Sequence, residues 1–239
     1  AVQLKGVSVM RNNNHILRDI DFSIFKGGTQ FILGQSGAGK TTLLKVINGI
    51  ISPKQGEVYI SGTKLQKRSL RFVRKKIGYI PQSMALIDLL TTRENILLGA
   101  LSRISPLASL FNMFPKQEQE QADYLLEMME LSEKKDVPVY QLSGGQKRRV
   151  AIARALMQRA EVVLADEILS DLDFVRSNFI MKKIAELKDQ FQCTVIFVEH
   201  DLHIAQKFAE HVAVLQNGKI IEGIDPAEIT HGALHPLFA

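Results

Sequence analysis

The sequence predicts an α/β domain that carries a helical insertion, and three features lead to this prediction. Short apolar runs alternate with segments of helical spacing in both halves of the chain. A glycine-rich stretch, residues 34–39, separates one apolar run from the helical segment that follows it. Between the two alternating parts, the sequence from about Ser83 to Gln141 has helical spacing alone. Because 239 residues can bury one full core, we expect a single domain, 1–239, with a helical subdomain inserted at 83–145.

The individual elements follow from their patterns in chain order. The predicted strands are short apolar or alternating runs, at 7–9, 20–24, 31–33, 57–60, 77–80, 162–165, 195–198 and 212–215. Pro81 ends the fifth strand. The clearest helix spans 118–131, and its apolar side chains share one face: Ala122, Leu125, Leu126 and Met129. We therefore expect Met128 and Met129 to fill the core or an interface rather than to form a ligand site.

Composition and charge narrow the class of protein. Cys193 is the only cysteine, so an intramolecular disulfide is impossible and a reducing compartment is expected. No run approaches the roughly 20 apolar residues that span a bilayer, and no signal-peptide pattern is present, so any membrane role is expected to depend on a partner. The net charge is +5, and much of the excess lies in one segment: Lys64, Lys67, Arg68, Arg71, Arg74, Lys75 and Lys76. We expect a solvated, helix-like face there; a surface for lipid headgroups or nucleic acid is the alternative, but Phe72 is its only aromatic residue.

Residues 34–42, GQSGAGKTT, have the composition of a phosphate-binding loop. Glycines without a Cβ let backbone N–H groups approach phosphate oxygens, and the helix that follows points the positive end of its dipole at the anion. Lys40 is expected to reach the β and γ phosphates of a nucleotide, and the Thr41 hydroxyl to bind Mg²⁺. The predicted phosphate-binding residues are Gly34, Gln35, Ser36, Gly37, Ala38, Gly39, Lys40, Thr41 and Thr42.

A second motif, VVLADE at 162–167, supplies carboxylates at the end of a predicted strand. Asp166 is expected to hold Mg²⁺ directly or through water, and Glu167 to orient a water for attack on the γ phosphate. Two acids at the end of a strand also occur at ordinary sheet edges. The motif therefore indicates nucleotide hydrolysis only in combination with the glycine loop.

These two motifs occur together with LSGGQ at 142–146, with residues 170–173 and with VEHD at 198–201, in the order and spacing of the ATP-binding cassette (ABC) ATPases. The chain resembles that family over essentially its whole length. The resemblance implies a P-loop NTPase (RecA-like) sheet core with a short antiparallel β subdomain and an inserted helical subdomain. It also implies that two copies sandwich two ATP molecules head to tail, so that the signature residues of one copy meet the γ phosphate held by the other: Ser143, Gly144, Gly145 and Gln146.

Further roles follow from the same resemblance. Gln82 matches the glutamine that contacts Mg²⁺ and the attacking water. Asp173 matches the aspartate that communicates between the two sites. His200 matches the histidine that contacts the γ phosphate; a lone histidine at a strand end is more often structural, but its position before Asp201 favours the functional role.

The chain departs from the family pattern at three positions. Arg11 stands where an aromatic residue usually stacks on adenine, and a guanidinium can also stack on a base. Ile168 replaces the proline that usually follows the catalytic glutamate, and Asp171 replaces a small residue. These departures bear on the geometry or rate of hydrolysis, while every charged catalytic position is filled.

Two segments look like those of the ATPases that energise phosphonate and phosphite import. One is residues 99–115, GALSRISPLASLFNMFP, and the other is the tail 225–238, DPAEITHGALHPLF. Several apolar side chains in the first segment can either fill the core of the helical subdomain or dock a cytoplasmic helix of a permease: Leu107, Leu110, Phe111, Met113 and Phe114. Both uses can coexist.

The resemblance therefore implies the ATP-hydrolysing subunit of an ABC importer for phosphonate- or phosphite-type oxyanions, with ATP and Mg²⁺ as cofactors. Its expected partners are a second copy, two transmembrane permease subunits and an extracytoplasmic substrate-binding protein, and its expected place is peripheral, at the cytoplasmic face of the inner (plasma) membrane. An ATPase for export or membrane extraction would share every catalytic residue. A soluble ABC protein acting on DNA or ribosomes usually carries two cassettes or a long coiled coil, which this sequence lacks, so no nucleic acid is expected. A binding-only regulator is the remaining alternative.

Overall fold

A computed structural model of the chain describes residues 1–105, 113–170 and 172–226. Two β-sheets and a group of helices make up this part of the chain. The strands are β1 (Val2–Arg11), β2 (Asn14–Ile24), β3 (Thr29–Leu33), β4 (Gln55–Ile60), β5 (Thr63–Lys64), β6 (Ile77–Ile80), β7 (Val162–Asp166), β8 (Thr194–Glu199), β9 (His211–Gln216) and β10 (Lys219–Ile224). The α-helices are α1 (Lys40–Ile47), α2 (Leu70–Lys75), α3 (Thr92–Leu97), α4 (Lys116–Met128), α5 (Gly144–Met157), α6 (Phe174–Phe191) and α7 (Leu202–Phe208).

The larger sheet has the order β10-β9-β3-β8-β7-β6. Its strands are parallel except for β10, which pairs antiparallel with β9. Parallel neighbours require crossover connections, which the helices provide. All residues of β3, β7 and β8 are buried, which explains why these strands are almost continuously apolar in sequence. The predicted α/β fold class is confirmed.

The smaller sheet is antiparallel, with the order β2-β1-β4-β5. Helix α1 lies between it and the larger sheet, in one continuous apolar cluster with residues of both. Four side chains of α1 are completely buried there: Leu43, Leu44, Val46 and Ile47. This burial fixes the first turn of α1, and with it the glycine loop that precedes the helix.

Helices α3, α4 and α5 come between β6 and β7 in the chain. The first of them begins only at Thr92, although helical spacing starts near Ser83, because Thr91 caps the helix and forms a capping box with Glu94. Helix α4 confirms the clearest predicted helix, and Met129 directly after it is buried. Helix α5 begins at the signature and continues to a contact with β6. The boundaries 83–145 of the helical subdomain stay a prediction.

The predicted basic segment is mostly exposed, and helix α2 forms part of it. Among the described residues, no helix is both long enough and apolar enough to pass through a bilayer. Several predictions fall outside the described residues: those for Asp171, Leu107, Leu110 and Phe111, and for all but the first two residues of the tail 225–238.

Candidate nucleotide-binding site

The glycine loop joins the end of β3 to the start of α1. A Cβ at Gly34 would lie 2.4 Å from the carbonyl oxygen of Leu215, so only glycine fits between the loop and β9. Gly37 and Gly39 have φ angles of 83° and 104°, which other residues rarely adopt. Gly39 is also the residue that precedes the first turn of α1. The loop can therefore curl tightly in front of a helix N-terminus, as an anion site requires.

Lys40 lies on the inner side of this loop and is only 4% exposed. Its Nζ donates hydrogen bonds to the carbonyl oxygens of Gly34, at 2.7 Å, and of Gln35, at 3.0 Å. The same Nζ lies 3.6 Å from Oε1 of Glu167. A buried ammonium group is thus held where the loop, the helix end and a carboxylate meet.

Asp166, at the end of β7, is held by two hydroxyl donors. Thr41 Oγ1 donates to its Oδ1 at 2.9 Å, and the Tyr79 hydroxyl donates to its Oδ2 at 3.0 Å. Burial, together with the negative charge of Asp166, raises the pKa of Tyr79 above its ordinary value, so the phenol keeps its proton and remains a donor. Sequence reasoning missed Tyr79, because its position beside Asp166 depends on the pairing of β6 with β7.

Glu167 has a positive φ of 51°, which turns the chain out of the sheet directly after β7. Its Oε2 accepts a hydrogen bond from Gln82 Nε2 at 3.1 Å. Lys40, Thr41, Gln82 and Glu167 line a cavity of about 360 Å³ together with the backbone of the glycine loop. The structure therefore brings together most of the catalytic and metal-binding residues predicted from the sequence.

Two residues that line this cavity, Thr41 and Gln82, and the Asp166 carboxylate in contact with Thr41 form a donor set that fits Mg²⁺. The Thr41 hydroxyl, an Asp166 carboxylate oxygen and the Gln82 amide oxygen are hard oxygen ligands, which Mg²⁺ prefers. Within the described ranges, no group of three or more His, Cys, Asp or Glu side chains forms a metal site. The arrangement suits an ion that keeps waters and shares phosphate oxygens with a nucleotide rather than one enclosed by protein side chains.

A second cavity, of about 570 Å³, lies against the other side of the loop and shares Ile16, Ser36 and Gly37 with the first. Its walls include His15 and the β9–β10 turn at Asn217. Arg11, the predicted base-stacking residue, is exposed opposite Asn14 at the end of the β1–β2 hairpin and borders neither cavity. The planar side chain that borders the second cavity, beside the glycine loop, is instead that of His15.

The signature residues lie at the start of α5, away from the glycine loop. Ser143 caps the helix and forms a capping box with Gln146. A Cβ added at Gly144 or Gly145 would meet nothing within 4 Å, so this helix end faces open space. These residues border a separate cavity of about 660 Å³, on whose other side lies the first turn of α6. Within one chain, the structure does not bring the signature to the glycine loop.

The remaining predicted residues lie near the edges of the site. His200 follows β8 directly and is exposed. Asp173 is exposed and caps α6, accepting a hydrogen bond from the Arg176 N–H at 2.9 Å. Ile168, which stands in place of proline, is buried in the core. Its side chain therefore has a packing role next to Glu167.

Glu199, at the end of β8, is a buried carboxyl group that sequence reasoning did not single out. Its Oε1 accepts a hydrogen bond from the N–H of Leu169 at 2.9 Å, and its Oε2 has no hydrogen-bond partner among the described residues. Burial raises the pKa of Glu199 to about 8, and the charges of Glu167 and Asp201 act in the same direction. A glutamate at the end of a largely apolar strand, followed by histidine, was the available signal.

This carboxyl group makes stability depend on pH. A pKa raised by folding means that the folded chain binds the proton more tightly than the unfolded chain, so stability falls as pH rises from the ordinary value near 4.5 to about 8. We expect Glu199→Gln to have little effect at pH 4 and to raise the free energy of unfolding by on the order of 3 kcal/mol at pH 9. Urea unfolding at both pH values measures this difference. The exposed Glu186→Gln variant is the control, and a pH-independent effect of Glu199→Gln would contradict the prediction.

Comparisons with known proteins agree with this geometry. The family model described as ABC transporter matches residues 17–170. The phosphonates import ATP-binding protein PhnC 2 of Synechococcus sp. is 37% identical over 225 residues, covering 93% of this chain and 84% of that protein. The phosphonates import ATP-binding protein PhnC of Fusobacterium nucleatum is 34% identical over 240 residues, covering 99% of this chain and 97% of that protein.

Solved structures resemble the chain over nearly its whole length. The ATP-binding cassette MJ0796, in a dimeric post-hydrolysis state bound to ADP and Pi, matches with a TM-score of 0.80 and 32% identity, over 94% of this chain and 100% of that one. The cbiO1 protein of Clostridium perfringens, part of the ABC transporter complex cbiONQ, matches with a TM-score of 0.82 and 27% identity, over 95% and 89% of the two chains. The chain therefore belongs to the ABC transporter family, as one of its ATP-hydrolysing cassettes.

Proposed function

We propose that this cassette powers the import of organophosphonates or of related reduced phosphorus oxyanions such as phosphite. The ATPase part of this proposal rests on one observation: five side chains lie together at the glycine loop, those of Lys40, Thr41, Gln82, Asp166 and Glu167. The phosphonate part is supported by relatives at 34–40% identity whose names specify phosphonate import. The transported compound itself is not expected to touch this chain.

In this proposal, ATP binds with its phosphates in the glycine loop. The loop amides and the positive end of α1 face the phosphates, and Lys40 supplies a point charge from the inner side of the loop. The two carbonyls that accept from Lys40 pre-orient its ammonium group, so little side-chain freedom is lost on binding. The nucleoside would lie toward the cavity that His15 and Ile16 border.

Thr41, Gln82 and Asp166 would hold Mg²⁺ with the nucleotide, and Tyr79 would keep Asp166 in place. The bound ion supplies positive charge that neutralises the phosphate oxygens. Glu167 acts as general base: it accepts the proton of a water that attacks the γ phosphorus. Gln82 orients that carboxylate by donating to Oε2, and His200 is proposed to contact the γ phosphate from the end of β8.

The second copy is proposed to complete each site. Ser143, Gly144 and Gly145 form an open, capped helix end suited to an anion, and the glycine loop of the same chain does not fill it. A γ phosphate held by one copy can therefore join it to the signature of the other, with Asp173 near the junction. ATP then holds the dimer closed, and hydrolysis releases it.

We further propose two permease subunits and an extracytoplasmic binding protein as partners, with the cassette peripheral to the cytoplasmic face of the membrane. Apolar side chains close to the signature helix support a docking surface for a permease helix. Ile87, Leu89 and Tyr140 are 48%, 82% and 56% exposed, and the backbone bond from Tyr140 N–H to the carbonyl of Asp88 keeps them adjacent. Such side chains gain free energy when a partner covers them.

The test is ATP-dependent uptake of a labelled phosphonate and of labelled phosphite into vesicles that contain the native permease and binding protein. We expect uptake with the native cassette and none with Glu167→Gln. If neither compound is taken up while ATP hydrolysis persists, the cassette mechanism stands and the phosphorus substrate is wrong, with an export or extraction ATPase as the next candidate.

A further inference from the structure

Gln82 is followed by a segment, residues 82–91, that we call the Gln82 loop. It leaves the sheet at Pro81 and ends at Thr91, the capping residue of α3. Met84 and Ala85 within it have positive φ angles of 61° and 47°. Left-handed conformations at two successive non-glycine residues are unfavourable in isolation, so contacts from elsewhere must hold them.

A completely buried side chain, Asn95 of α3, holds the far half of the Gln82 loop, together with backbone hydrogen bonds from Val139 N–H to Leu90 O and from Tyr140 N–H to Asp88 O. Its Nδ2 donates to the carbonyl oxygens of Ile87, Leu90 and Thr91 at 3.0, 3.3 and 3.1 Å. Its Oδ1 accepts a hydrogen bond from the N–H of Ile87 at 2.9 Å. This half of the loop is therefore fixed to α3 and to residues 139–140, which precede the signature.

The near half is held by Arg154, on α5. Its Nη1 donates to the carbonyl oxygen of Ala85 and its Nη2 to that of Met84, each at 2.6 Å. Burial lowers the pKa of the Arg154 guanidinium, and a charged donor that has lost water makes strong hydrogen bonds. The planar fork spans two carbonyls at once, which a lysine ammonium on a single flexible stem does not match.

One end of this linkage lies in the nucleotide site, and the other leads to the signature residues at the start of α5. A tight turn, closed by the bond from Met84 N–H to Pro81 O at 2.7 Å, contains Gln82, and Gln82 contacts Glu167. At its other end, α5 begins with the signature residues, about 15 Å along the helix axis from Arg154 at 1.5 Å per residue. The carbonyls of Met84 and Ala85 are therefore tied through Arg154 to the helix that begins with the signature.

We propose that Arg154 is a positioning residue that makes the placement of Gln82 depend on the signature helix. The inference rests on the proposed role of Gln82 in hydrolysis. When the signature of one copy engages the nucleotide of the other, α5 shifts as a unit and Arg154 carries the Gln82 loop with it. Hydrolysis at the glycine loop of one chain then depends on whether the signature of that same chain has bound the nucleotide held by its partner.

A double-mutant cycle tests this coupling. Hydrolysis by the full-length chain with Mg²⁺ and ATP is measured for the native protein, Gln82→Ala, Arg154→Gln and the double variant. We expect Arg154→Gln to lower kcat about ten-fold with KM for ATP changed less than about two-fold, because a misplaced catalytic group costs rate rather than binding. In the double variant, kcat is expected to equal that of Gln82→Ala, since nothing remains to be positioned. Arg154→Lys is expected to restore only part of the rate.

The control is Arg103→Gln, which removes another guanidinium that donates to a backbone carbonyl, that of Gln158 just beyond α5. It is expected to leave kcat unchanged once the folded fraction is accounted for. Amide hydrogen exchange gives a second readout: Arg154→Gln should speed exchange in residues 84–91 while the glycine loop stays as in the native protein.

The outcomes separate this inference from the proposed function. A native kcat for Arg154→Gln beside a lowered kcat for Gln82→Ala would overturn the inference alone. Independent, multiplicative effects of the two substitutions would also overturn it, because Arg154 would then act elsewhere. A native kcat for Gln82→Ala would overturn the role of Gln82 in the proposed function and the inference with it.

Discussion

Replacing Glu167 by glutamine is expected to lower kcat for ATP hydrolysis about a thousand-fold while ATP affinity stays within about three-fold of the native value. The amide keeps the size of the side chain and can still meet Gln82, but it cannot accept a proton from water. The substitution also removes a negative charge that lies 3.6 Å from Lys40. Because a lost negative charge does not oppose the binding of a polyanion, the expected loss is confined to the chemical step. Single-turnover hydrolysis and nucleotide-binding titrations measure the two effects separately.

The same substitution at the other end of β7 provides the matched control. Glu161 directly precedes β7, is paired with Lys76 at 3.1 Å on the surface, and lies far along the strand from the glycine loop. Glu161→Gln is expected to hydrolyse ATP at the native rate. If the head-to-tail dimer is correct, ATP should make Glu167→Gln accumulate as a dimer in light scattering. A Glu167→Gln protein that retained its native kcat would assign the general base to another group.

Replacing Lys40 by alanine is expected to weaken ATP binding about a hundred-fold, equivalent to about 2.7 kcal/mol. The substitution removes the charge that the carbonyls of Gly34 and Gln35 hold inside the loop, and it leaves Glu167 facing the phosphates without a neutralising partner. Both effects oppose the binding of a polyanion. Equilibrium titration with ATP and with ADP measures the change, and the loss should be larger for ATP, because Lys40 is expected to reach the γ phosphate.

Lys45→Ala is the control for this prediction. Lys45 belongs to the same helix α1, just over one turn beyond Lys40, and is partly exposed on its surface. Removing a positive charge there changes the net charge equally but leaves the loop intact. ATP affinity within about two-fold of native is expected. Equal losses for the two variants would mean that general electrostatic attraction, rather than the placement of Lys40, determines binding.

The sequence alone was enough to determine the parts of this protein that depend on neighbouring residues. The glycine loop and VVLADE each combine a buried strand with the residues that directly follow it, so chain order by itself places their functional groups at strand ends. Buried parallel strands are recognisable because both of their faces are apolar. The resemblance of these motifs to those of the ABC ATPases implied the ABC fold and the ATPase activity, and both are confirmed.

Long-range pairing was decided only in the tertiary structure. Tyr79 meets Asp166 because β6 pairs with β7, and Arg154 meets Met84 and Ala85 across about 70 residues of sequence. Arg154 and Asn95 likewise hold residues 84–91 out of the helix that their spacing suggests, before Thr91 caps α3. None of these contacts changes local periodicity or propensity, which is what a sequence pattern records. They arise when elements distant in the chain pack together, and in this protein they hold Asp166 and the Gln82 loop in place beside the glycine loop.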